Sequence, residues 1–386
     1  MSLPLTKPVL PNFKWPENAV VESSYISVLE AESSAVNSYN MSKNEASRQL
    51  NAANIVNARV VGFLYQQFFE LRETALGNKP LTQVHKEVVS SPDETAIYAH
   101  GQRYVDHLIC PFRTKSKEGI ASSHSSRASS DHAGDAHDVE LQTGARSSPR
   151  TRALARDYYR CAVTGIYDNK SLKTREKLSM QLKSSEENYY RNLVETCHIL
   201  NNSLFENVEP SSIRENNEAT ALRILRDFGM ETLVDSLLRT ANKAASETRS
   251  SNLCNIISLT SNVHHLFGEL QMTFQPVKGE EDTYLVKFMG DGRQRTAEMI
   301  NEKIIFRNWA PIHRIAEART DLPLPDARLL ILHCACAHVA YLSGAGELLD
   351  DILNHDDYKD IGVLAEDGGS MDVLRAALTP LAAIRA

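Results

Sequence analysis

Two short blocks limit what this chain can build. The first is Cys197-His198-Ile199-Leu200. The second, after an intervening helical pattern, is Asn255-Ile256-Ile257-Ser258-Leu259-Thr260-Ser261-Asn262-Val263-His264-His265-Leu266-Phe267. Asn192–Leu200 alternates loosely and reads as a strand that delivers His198. Asn255 opens a returning segment, Thr260 or Ser261 caps a short helix, and His264 lies on its first turns. Phe267, three residues on, shares the His264 side of that helix and packs into the core, turning the imidazole towards His198. His265 lies about 100° round the helix and does not share that role. The spacing therefore allows a strand, a returning segment and a short helix that can bring a His, an Asn and a second His to one point.

At 386 residues with 42% hydrophobic residues, the chain has ample material for a core and for more than one small domain. A net charge of −7 argues against coating nucleic acid by bulk electrostatics, though a local basic groove remains compatible with it. Six cysteines are scattered with no CxxC pair and no disulfide-like framework. The N-terminal stretch lacks the basic-then-apolar pattern of a signal peptide, and the longest apolar run, near Leu329–Leu342, is too short to span a bilayer. These features predict a soluble, reduced, intracellular protein. No dense basic run distinguishes nucleus from cytoplasm.

Composition and periodicity divide the chain. Residues 1–40, with Pro4, Pro8, Pro11 and Pro16, read as an extended arm. Residues 41–112 read as helical: Ser42-Lys43-Asn44-Glu45 is a capping box, and Leu50, Ile55, Val60, Phe63, Leu64 and Phe68 recur at helical spacing. Residues 113–150 are a low-complexity, Ser-rich linker with too little apolar surface to repay ordering, and His124, His132 and His137 within it are irregularly spaced. The next domain, 151–310, carries a helical insert over 205–250 and strands at Met272–Val277 and Thr283–Met289. Residues 311–386 read as helical, with helices over Asp326–Ser343 and Met371–Ile384. Arg146, Arg150, Arg152, Arg156 and Arg160 cluster just before the histidine blocks, opposed nearby only by Asp157. Arg152, Arg156 and Arg160 are the candidate phosphate contacts, against the alternative of a solvated helix face.

Hydrolysis of a phosphodiester needs a base to activate water, which imidazole suits, and a cation to stabilise charge on the phosphate. Here the sequence resembles the HNH endonucleases, specifically the fungal-type proteins with the pattern C-x-V-T-G … H-I-L/I-P … N-x-I-x-L-x-x-x-x-H-x-x-F. Cys161-Ala162-Val163-Thr164-Gly165 matches the first block, His198-Ile199-Leu200 the second, and Asn255 through Phe267 the third. Gly101 to Arg113 and Ala221 to Gly229 are similar to flanking segments of that family, so the likeness spans roughly residues 95–345.

The resemblance implies an α+β, helix-dominated protein with an embedded ββα-metal (HNH, His-Me finger) module that cleaves DNA. It implies His198 as general base, Asn255 as the residue positioning it, and His264 as ligand to one divalent cation, Mg²⁺ first, with Mn²⁺ or Zn²⁺ as alternatives. The sequence departs from the family at Asn201, where proline is usual, at Cys197, where an acid or other ligand is common, and at Gly268, where an acid is common. A thiol suits Zn²⁺ better than Mg²⁺. Cys197, Glu195 and Glu269 are the possible additional ligands. The alternative from another class is a catalytically inactive HNH fold used to bind a partner. Oligomeric state is not legible. His333-Cys334-Ala335-Cys336-Ala337-His338 splits its ligands between two helix faces and reads as buried helix. Asp350-Asp351 and Asp356-Asp357 read as a solvated face.

Overall fold

The computed structural model describes residues 6–13, 15, 21–113, 149–184, 189–205, 213–242, 251–309 and 322–354. Most of the 113–150 linker, including Arg146 and its three histidines, lies outside the described residues, as do Met371–Ile384 and Asp356-Asp357. The protein is α+β, dominated by helices, with three small sheets among the described residues. It divides into two compact units: Met1–Thr114 with Leu200–Asp235 and Ile331–Ala386, and Lys115–Ile199 with Ser236–Leu330. Among the described residues no helix is long and apolar enough to cross a membrane.

The first unit is helical. The arm expected over 1–40 gives way to helix α1 at Glu22–Met41. Tyr25, Val28, Ala31, Ala35 and Tyr39 recur at helical spacing and are buried. Their stripe is hard to see in the sequence because Ser24 and Glu32 lie buried in it too. Ser24 accepts from the Tyr65 hydroxyl at 2.9 Å, and Glu32 accepts from Arg59 Nε at 2.5 Å and from the Leu10 N–H at 3.0 Å. Helix α2 spans Glu45–Leu71. Its N-cap is Asn44, whose Oδ1 accepts the Ser47 N–H at 2.7 Å. The expected capping box from Ser42 does not form, because Ser42 closes α1 and its hydroxyl donates to Ser38 O at 2.7 Å.

Helices α3 (Lys79–Val89) and α4 (Glu94–Tyr104) complete the N-terminal layer. A Cβ on Gly101 of α4 would stand 2.1 Å from Asn57 O of α2, so these helices approach to backbone contact and only glycine fits. The chain then tightens through a π turn at Val105–Ile109 and a 3₁₀ turn at Cys110–Phe112.

The helical insert expected to belong with the histidine blocks packs instead, over Leu200–Asp235, in this first unit. Phe228, just past the helix Ile213–Asp227, lies 5.2 Å from Phe68 and 6.2 Å from Tyr104 between ring centroids. The helix Ala327–Ser343 agrees with its predicted span and is buried at His333, Cys334 and Cys336. His338 Nδ1–H donates to Cys334 O at 2.9 Å, one turn back along the helix. Asp350, expected on a solvated face, forms an ion pair with the buried Arg113.

The second unit carries all the strands. Helix α5 (Pro149–Arg156) leads in, followed by β1 (Tyr167–Asp168) parallel to β2 (Arg191–Asn192). Strand β3 (Val194–His198) pairs antiparallel with β4 (Ile256–Thr260), and helix α6 (Ser261–Gly268) follows at once. The predicted strands appear as β5 (Met272–Pro276) and β6 (Thr283–Phe288), joined by β7 (Lys303–Ile305), which is too short to show a period in the sequence.

Arg156, expected on a phosphate-contacting edge, is fully buried. Its guanidinium bonds both carboxylate oxygens of Asp157, at 2.7 and 2.8 Å, and the carbonyls of Leu253, Ile256 and Pro323, at 2.9, 2.8 and 3.2 Å. It is a structural tie, and no nucleic acid can reach it.

Candidate active site

Strand β4 is buried at every residue from Ile256 to Thr260, so it forms the floor under β3 and α6. The register sets His198 opposite Ile256, Cys197 opposite Ile257 and Glu195 opposite Leu259. Alternation along β3 puts Glu195 and Cys197 on one face. Helix α6 turns Val263, Leu266 and Phe267 inward, with Phe267 5.3 Å from the Phe274 ring. This leaves His264 half-buried above the Glu195–Cys197 face. Thr260 stands at the N-cap of α6 without capping it, because its hydroxyl donates to Glu298 Oε2 at 2.5 Å.

His264 Nδ1–H donates to Glu195 Oε2 at 2.8 Å, and the Ser261 hydroxyl donates to Oε1 of the same carboxylate at 3.0 Å. Burial by itself would lower the His264 pKa. Cys197 and the Glu195 carboxylate beside it outweigh burial, and the imidazole is held well above its ordinary value. Glu195 is lowered in turn, first by its bond to His264, against burial, and then by the His264 charge, Ser261 and Arg150. His198 behaves oppositely. Burial and, behind it, the positive charge of His264 push its pKa down to about 4. The two imidazoles of this strand–strand–helix unit are thus shifted in opposite directions, His264 up and His198 down.

Asn255 is buried at the entrance to β4, and its backbone carbonyl accepts the Ile199 backbone N–H at 2.9 Å, tying down the residue next to His198. Cys197 is fully buried, with its thiol directed to His198 O at 3.4 Å. The Cys161 block joins the same floor: Ala162 N–H donates to Ser258 O of β4 at 2.9 Å, and Gly165 closes the turn at φ +72°. The Cys161 turn and β3 are thus both tied to the β4 segment by backbone hydrogen bonds.

Glu269 does not join them. It pairs with Arg295 at 2.8 Å and His265 at 3.4 Å, in a separate cluster on the side to which His265 rotates. Arg152 is half-exposed on α5, and Arg160 faces another groove. Ser261 and Arg150, whose guanidinium donates to Val194 O at 3.0 Å, support Glu195 but were not singled out for that role in the sequence. Ser261 was legible as a helix opener, whereas nothing local marks Arg150.

Among the described residues no three His, Cys, Asp or Glu side chains are grouped to hold a metal ion. Glu195 holds Nδ1 of His264 and orients the ring, and Cys197 is the ring's second hydrogen-bonding partner, so a cation reaching Nε2 would meet the Cys197 thiol beside it. An imidazole backed by a carboxylate and flanked by a thiol suits a softer cation such as Zn²⁺ better than Mg²⁺, which takes oxygen ligands. Comparison with protein-family models, with curated proteins and with solved structures found no match for this chain.

Proposed function

We propose that β3, β4 and α6 form an HNH-type, ββα-metal module that hydrolyses DNA phosphodiester bonds with one divalent cation. The observation that carries this reading is the geometry of one strand–strand–helix unit: β3 ends at His198, β4 starts beside Asn255, and α6 sets His264 against Glu195 of β3 at 2.8 Å. His198, neutral at working pH, accepts a proton from the attacking water, and a phosphate beside it would raise its basicity. Asn255 would act as the positioning residue, since it is buried where β4 meets the segment after His198 and its backbone is already tied to Ile199. His264 would offer Nε2 to the cation after losing its proton, with Glu195 fixing the ring through Nδ1. A bound cation would supply Lewis-acid stabilisation of charge on the scissile phosphate.

A second reading, a non-catalytic module that binds a partner through the same fold, is favoured by the lack of a three-group metal site among the described residues and by the buried thiol of Cys197. Nicking of supercoiled plasmid by the purified chain with Mg²⁺, Mn²⁺ or Zn²⁺ separates the two. Metal-dependent nicking should fall by a factor of about 10² to 10⁴ in His198→Ala. Nicking equal in both proteins would remove His198 from the mechanism. Absence of nicking with every ion, in folded protein, would favour the binding module.

A further inference from the structure

A groove of about 280 Å³ in the second unit is lined by Arg160, Asn301, Lys303, Phe306, Arg307 and Trp309, among others. The guanidinium carbons of Arg160 and Arg307 each lie 4.4 Å from the Trp309 ring centroid. Neither arginine has a carboxylate partner among the described residues. Arg307 Nε is buried with no hydrogen-bond acceptor. Asp157 also borders the groove, but both its oxygens are taken by Arg156. Lys303 pairs only with the exposed Glu280, a contact that competes weakly with other anions.

The Trp309 backbone is held by its amide N–H, which donates to Arg156 O at 3.0 Å, and Arg160 by a β-bridge to Tyr167. Stacking on an aromatic face fixes a guanidinium plane while leaving its N–H edge free. Two such edges with no carboxylate partner among the described residues, one bearing a buried donor with no acceptor among them, form a receptor for an anion.

We infer that this groove holds the sugar–phosphate backbone of a DNA strand, with Arg160 and Arg307 as its phosphate contacts. Rigid guanidiniums anchored to one ring suit a repeating phosphate, whose oxygens accept paired N–H donors. The choice of DNA as the anion rests on the nuclease reading. The site itself rests on the groove.

The test uses the full chain carrying Trp15→Phe, which leaves Trp309 as the sole tryptophan of two. Its fluorescence is followed on titration with a single-stranded oligodeoxynucleotide of about 20 nucleotides in EDTA at several salt concentrations. Binding should perturb Trp309. Arg160→Gln and Arg307→Gln should each weaken binding about 3- to 10-fold at low salt and lower the log–log salt slope by about one. Arg160→Lys and Arg307→Lys should retain the slope, and His198→Ala should bind as the parent does. No Trp309 response, an unchanged slope in the double Gln variant, or equal binding of polyglutamate or inorganic phosphate would overturn the inference. If the Gln variants fail to fold, the Trp309 response in the intact groove still decides. Binding through the groove without cleavage would leave this inference standing while the nuclease reading falls, and cleavage with binding indifferent to both arginines would do the reverse.

Discussion

At the scale of single residues, the chemistry depends on partners remote in the chain. Unfolded His198 titrates near 6.5 and folded His198 near 4, so between these values the unfolded chain binds the extra proton. Stability should therefore fall as pH drops through that window, by about 2 kcal/mol between pH 6.5 and 5. Urea unfolding at the two pH values should show this loss, and His198→Gln should abolish most of it. The His264–Glu195 pair has the opposite profile on its histidine side. A raised histidine stabilises fully below 6.5 and is lost as pH rises through its folded value, whereas the lowered Glu195 stabilises above 4.5 and is lost as pH falls. Arg156 is the other residue with a large expected effect. Arg156→Ala strands Asp157 without its partner and frees three carbonyls, and should cost about 3–5 kcal/mol in a thermal or denaturant unfolding experiment. The sequence placed Arg156 among surface cations because a helix of arginines looks solvated. Only the approach of Leu253, Ile256 and Pro323 buries it.

At the scale of elements, legibility followed the strength of the local pattern. Helix α2 carries a long apolar stripe that is legible in the sequence, as are β5, β6, the strand that ends at His198 and the short helix that carries His264. Helix α1 was missed because its buried face includes Ser24 and Glu32, which make sense only beside Tyr65 and Arg59. The capping box at Ser42 was misread for a related reason: a serine that ends one helix looks, in sequence, like one that begins the next. The insert shows the limit most clearly. Its helices were legible, but their destination was not, since Phe228 could have filled any apolar hole of its size. Phe228→Ala should cost about 3–5 kcal/mol, read as unfolding of the helical unit by hydrogen exchange in α2 and α4 with the β3–β4 hairpin protected as before. Equal loss of protection in the hairpin would show that the insert supports the second unit instead.

At the scale of the whole molecule, the chain interleaves two units, leaving the second just past the end of β3 and returning to it at Ser236. What the sequence determined by itself was the local chemistry: a histidine ending a strand, an asparagine opening the return, a histidine three residues before a core phenylalanine, and the helix-rich composition around them. Those depend on neighbours a few residues apart, where periodicity and capping operate. What only the tertiary structure decided was the company each group keeps. Glu195 meets His264 across 69 residues, Arg156 is buried by segments about a hundred residues and more away, and Arg160 finds Arg307 and Trp309 from the far end of the unit. Charge state and burial are set by atoms adjacent in space, and a linear pattern carries no measure of that distance.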